Sequence, residues 1–152
     1  MKTILTSALV LLSLVAFCKK DWTFTTKEKQ IIAEAVAAIP DSTRQRFEKN
    51  YKAWKDACDK DLNVRLSSRT DASKNVKEYK TLVDMGKKII PLLIQKMSED
   101  INRNFFDLVP YNDLEGNTRL KVTIMTSEQE RAYQTVLLWI TDNKKKNKRR
   151  KI

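Results

Sequence analysis

The stretch Tyr79-Lys-Thr-Leu82-Val83-Asp-Met-Gly86-Lys-Lys-Ile-Ile90-Pro91-Leu-Leu93-Ile94-Gln-Lys-Met97-Ser-Glu-Asp-Ile101 decides the fold class. Its apolar residues fall at Tyr79, Leu82, Val83, Ile90, Leu93, Ile94, Met97 and Ile101, steps of three, four and seven that put them on one face of a helix. Gly86 is one of only two glycines in the chain and interrupts the pattern, so the stretch reads as two helices joined there. Lys87 and Lys88 open the second helix, and Pro91 falls in its first turn, where a missing amide donor costs least. Leu92, Leu93 and Ile94 are consecutive apolar residues. The second helix is therefore apolar around much of its girth and belongs at the centre of the core.

The rest of the 152 residues agrees with an all-α reading. Two glycines and three prolines leave few sites for sharp turns, which suits a small helical bundle of about five to six helices over residues 18–143 better than a turn-rich β fold. Thr25 and Glu28 have capping-box spacing ahead of Ile31, Ile32, Ala35, Val36 and Ile39, with Pro40 as the stop. Ser42 and Gln45 repeat that spacing before a face made of Phe47, Tyr51, Trp54 and Cys58. That aromatic face is expected to be core, with an exposed binding strip as the other reading. Leu62, Val64 and Leu66 alternate with polar residues and suggest a short extended connection. A third helix is expected from Asp71 or Ser73 to Gly86, and a short one from Ile101 to Val109 that Pro110 ends. Asn112, Asp113, Glu115, Gly116 and Asn117 read as loop, and Ser127 and Glu130 cap a last helix through Ile140.

Residues 1–18 carry one positive charge and then an uncharged, mostly apolar run up to Phe17 and Cys18, ended by Lys19, Lys20 and Asp21. That is the layout of a bacterial export signal, too short to span a membrane as a helix. Val15-Ala16-Phe17-Cys18 resembles a lipobox, with Phe17 where Gly or Ala is usual. The resemblance implies cleavage after residue 17, acylation of Cys18, and a lipoprotein anchored in the bacterial cell envelope on the periplasmic side or at the cell surface.

The net charge of +11 is concentrated at the other end. Lys144, Lys145, Lys146, Lys148, Arg149, Arg150 and Lys151 supply seven of those charges, and no apolar residue interrupts residues 143–151. By composition, residues 144–152 are a disordered basic tail suited to anionic surfaces. Such a run attracts phosphates without reading sequence, and export argues against nucleic acid as its target, so anionic headgroups or an acidic partner are the expected ones.

Chemistry is thinly represented. Histidine is absent, which removes the commonest general base and metal ligand, and two cysteines are too few for a thiolate metal site or a disulfide scaffold. The carboxylates Asp56, Asp59, Asp61, Glu99 and Asp100 are the only catalytic candidates, in an enzyme that would divide acid and base roles between them. They alternate with Lys55, Lys60 and Arg103, as on a solvated face. The chain thus reads as a non-enzyme with no cofactor.

Leu82-Val-Asp-Met-Gly86 leading into Ile89-Ile-Pro91-Leu-Leu-Ile94, followed by Phe105, Phe106 and Leu108, resembles a HEAT-type helical-repeat unit. Together with the pairs Trp54-Lys55 and Ser67-Ser68, the segment is also similar to a group of small bacterial proteins of unsettled function. No HEAT-length period recurs elsewhere in the chain. The HEAT resemblance implies helix pairs whose exposed face binds another protein, and it implies no catalytic residues. The resulting expectation is a lipid-anchored protein-binding module of the envelope, an inhibitor or immunity protein being one form of it.

Overall fold

The computed structural model describes residues 21–150. Residues 1–17, read above as an export signal, together with Cys18 and Lys151, lie outside the described residues. Within them the fold is all-α, a small bundle of eight α-helices joined by 3-10 turns: α1 Thr26–Ala37, α2 Asp41–Lys60, α3 Leu62–Arg65, α4 Lys77–Val83, α5 Ile90–Glu99, α6 Ile101–Asn104, α7 Leu108–Leu114 and α8 Glu128–Arg150.

The decisive stretch folds as its spacing predicts. Gly86 has φ +76° and ψ −174°, a conformation that side-chain-bearing residues rarely adopt, and it separates α4 from a 3-10 turn that feeds α5. Pro91 sits in the first turn of α5. Leu93, Ile94 and Met97 are fully buried, and α5 touches α1, α6, α7 and α8, so the remaining helices are arranged around it. The second pairing is α2 against α4. There Phe47, Tyr51 and Trp54 stack in series and reach Tyr79 of α4, which makes the aromatic face core.

Capping signals were legible at α1 and α8. The Thr25 hydroxyl accepts from the Glu28 amide, while Glu28 Oε2 accepts from the Thr25 amide at 2.8 Å. Ser127 Oγ accepts from the Glu130 amide at 3.2 Å. The helix α2 instead starts one residue ahead of Ser42, directly after Pro40, whose extended backbone ends α1 and whose carbonyl takes the first amides.

Four further expectations need correction. Leu62–Leu66 is not extended: Asp61 Oδ1 accepts from the amides of Asn63 and Val64 and starts the short helix α3. The third helix does not run from residue 71 to 86. Thr70–Asn75 forms a 3-10 turn, the Trp54 indole N–H donates to the Ser73 carbonyl at 3.0 Å, and Val76 is extended before α4 begins. Pro110 does not end a helix: it lies in the first turn of α7, which also absorbs Asn112 and Asp113. Finally, α8 continues through Lys144, Lys145 and Lys146 as far as Arg150, so the basic segment up to that residue is helical and not a disordered tail. It extends a helix already nucleated by its buried half, Ala132, Val136, Trp139 and Ile140, and elongation from such a base is far cheaper than starting anew.

Candidate functional site

The most unusual polar residue is one that the sequence did not single out. Asp107, in the 3-10 turn between α6 and α7, is fully buried. The Tyr51 hydroxyl donates to its Oδ2 at 2.7 Å, and Lys55 Nζ stands 3.7 Å from its Oδ1, an ion pair beyond hydrogen-bond reach. Burial pushes the Asp107 carboxyl up to about 7, although Lys55, the Tyr51 hydroxyl and Lys96 all act in the opposite sense. The Tyr51 hydroxyl is likewise raised, first by burial and then by the Asp107 charge.

Two lysines surround this pair. Lys55 lies over the rings of Tyr51 at 5.7 Å and Trp54 at 5.5 Å. Lys96 of α5 also lies over the Tyr51 ring, at 5.5 Å, and pairs with Glu48 at 3.0 Å. Asn104 closes the cluster by donating to the Lys96 carbonyl at 2.7 Å. Apart from the two Lys55 ring contacts, which lie within α2, these contacts cross from one element to another. The cluster therefore ties α2, α5 and the α6–α7 segment together.

Lys55 also lines a cavity of about 260 Å³ on the side of α2 that faces α3. Trp54, Cys58, Val64 and Phe106 supply its apolar lining, and Arg65, Arg69 and Asp59 its charges, with Ser67, Thr70 and Ser73 between them. The Arg69 guanidinium is held by Asp71 through two contacts of 3.0 and 2.7 Å. Burial pushes the Cys58 thiol up to about 11, and Cys58 Sγ lies 3.9 Å from the Ser73 carbonyl that Trp54 also uses. Around the groove, Leu62 at the start of α3 and Leu66, which caps its C-terminal end, are exposed at 62% and 83%, and Phe106 is partly exposed. The groove unites Trp54 and Lys55 with Ser67, residues from the two pairs on which the sequence resemblance rests.

The five candidate carboxylates do not form one site. Lys52 holds Asp56 below its ordinary range on an exposed turn, Asp61 and Asp100 are helix caps, Asp59 lines the groove beside α3, and Glu99 lines a different cavity with Lys29 and Gln95. Asp107 was missed because its burial comes entirely from other helices. Among the described residues no group of three or more His, Cys, Asp or Glu side chains could hold a metal ion, and no helix is long and apolar enough to cross a membrane. Of the basic residues at the end of α8, Lys144, Lys145, Lys146 and Arg149 are exposed, and Lys146 pairs with Asp142 at 2.6 Å. No protein-family model, curated protein or solved structure matches this chain.

Proposed function

We propose that the chain is a lipid-anchored protein of the bacterial cell envelope that acts by binding another protein through the groove between α2 and α3. The observation that carries this reading is the groove itself, a concave apolar floor of Trp54, Cys58 and Phe106 beside the exposed leucines Leu62 and Leu66 at the two ends of α3. Exposed leucines next to a cavity are a costly surface for a monomer to keep and a common one for a partner to cover. Of the lining cations, Lys55 is paired with Asp107 and Arg69 with Asp71, so Arg65 is the one that favours a partner segment presenting an apolar side chain with an acidic neighbour. The leader and Cys18 supply the anchor in this reading. An inhibitor or immunity protein works in this way, by occupying its target and performing no chemistry.

A photo-crosslinking residue placed at Leu66, in the envelope of the native cell, is expected to trap one defined protein, and the same residue placed at Lys80 on α4 is not. Arg65→Glu should abolish the product while leaving the fold intact. Equal products from both positions, or a product indifferent to Arg65→Glu, would refute the groove as the binding surface. Mass spectrometry of the same material tests the anchor separately: an N-terminus at Cys18 bearing diacylglycerol is expected, and an unmodified one starting beyond Cys18 would refute lipidation.

A further inference from the structure

The described chain begins against α8. Trp22 and Phe24 stack on Tyr133 with ring centroids 5.3 and 5.1 Å away, and the Tyr133 hydroxyl donates to the Thr23 carbonyl at 3.3 Å. Tyr133 lies near the start of α8, and the exposed cations Lys144, Lys145 and Arg149 lie near its end. At 100° per residue, Lys144 returns to within about 20° of Tyr133 after three turns and about 16 Å of rise. Lys145 and Arg149 fall about 120° and about 160° round from Tyr133, so the three cations spread from the side where the chain enters across the outer face of α8 that carries Thr141.

From this juxtaposition we infer that α8 lies along the surface of an anionic phospholipid bilayer, held at one end by the chain entering at Trp22 and at the other by Lys144, Lys145 and Arg149. The inference rests on the membrane-anchored reading above and adds an orientation to it. Four residues separate Cys18 from Trp22, a span of at most about 14 Å, so an anchor at Cys18 keeps the Tyr133 end of α8 close to the headgroups. If α8 stood upright, its basic end would rise more than a Debye length of about 8 to 10 Å above them and feel little attraction. Lying flat brings the cations within range, at about 1 kcal/mol for each. Two of the acidic residues of α8 are paired, Glu128 with Arg131 at 2.8 Å and Asp142 with Lys146 at 2.6 Å, and Glu130, which accepts from Gln134, lies in the first turn, the end held by the anchor and not by charge. A disordered tail would be attracted too, but it would leave the body free to tumble. A rigid helix does not.

The test uses the native acylated protein in a Cys58→Ser background, reconstituted in phosphatidylcholine vesicles with and without phosphatidylglycerol, with a fluorophore at Thr141→Cys on the outer face of α8 or at Thr81→Cys on α4. Headgroup-quencher lipids should quench position 141 several-fold more than position 81 in phosphatidylglycerol vesicles. That difference should vanish in Lys144→Gln/Lys145→Gln/Arg149→Gln, and on inserting three glycines after Asn143, which keeps every charge but breaks the helical register. Equal quenching at the two positions, or no effect of either variant, would overturn the inference. Flotation on pure phosphatidylcholine reports the anchor alone. Protein that floats there but shows no difference between the positions retains the anchor and loses the orientation. Protein that floats only with phosphatidylglycerol, and only with the α8 lysines present, retains the α8 contact and loses the anchor.

Discussion

Tyr51 and Asp107 form a buried hydroxyl–carboxylate hydrogen bond of 2.7 Å that joins the long helix α2 to the turn between α6 and α7, fifty-six residues away in sequence. The carboxylate has no exposure to water, and its countercharge, Lys55, stands 3.7 Å away at the lining of the groove. One interaction thus links the packing of the bundle to the surface proposed for binding.

Because burial raises Asp107 to about 7, the folded state holds its proton more tightly than the unfolded chain does. The stabilisation is complete below the unfolded value near 4 and is lost as pH rises through the window from about 4 to about 7. The melting temperature is therefore expected to increase when pH is lowered from about 8 to about 5, and the trend should flatten in Asp107→Asn. A wild-type melting temperature that falls over that interval would contradict it.

Tyr51→Phe removes the donor to Asp107 Oδ2 and leaves a buried carboxylate short of a partner, at a cost of about 1 to 3 kcal/mol in urea unfolding. In a double-mutant cycle with Asp107→Asn the two substitutions should be coupled by at least about 0.5 kcal/mol, and simple additivity would mean that the hydroxyl is satisfied elsewhere.

Leu93 is fully buried at the centre of α5. Leu93→Ala should cost about 2 to 5 kcal/mol through lost transfer energy and the cavity left behind. A cost below about 0.5 kcal/mol, as at surface sites, would remove α5 from the core.

At Gly86 an added Cβ would meet nothing within 4 Å, so only the backbone opposes substitution. With φ +76° and ψ −174°, Gly86→Ala should still destabilise by about 1 to 3 kcal/mol, and a neutral effect in thermal melts would show that the α4–α5 turn relaxes freely.

Raised to about 11 by burial, the Cys58 thiol is almost wholly protonated at neutral pH. Its alkylation near pH 7.5 should run about 100-fold slower than that of an unfolded-chain thiol, since only the thiolate reacts. A partner seated in the groove should slow it further. Alkylation at the unfolded-chain rate would place the thiol in open solvent.

The sequence by itself determined the all-α class, the division at Gly86, the placement of Pro91 and the burial of α5, because apolar spacing, glycine and proline act locally and report on the chain within a few residues. The capping pairs Thr25–Glu28 and Ser127–Glu130 were legible for the same reason. What only the tertiary structure decided depends on partners distant in sequence. Trp54 donates to the Ser73 carbonyl where the expected helix gives way to a 3-10 turn, and Tyr51 of the aromatic face of α2 reaches the buried Asp107. The buried half of α8 carries its helix into a basic run that composition alone assigns to disorder. The groove has the same origin: Trp54 and Phe106 lie fifty-two positions apart in the chain with Ser67 between them, and no local pattern announces that two helices and two 3-10 turns will set them around one cavity.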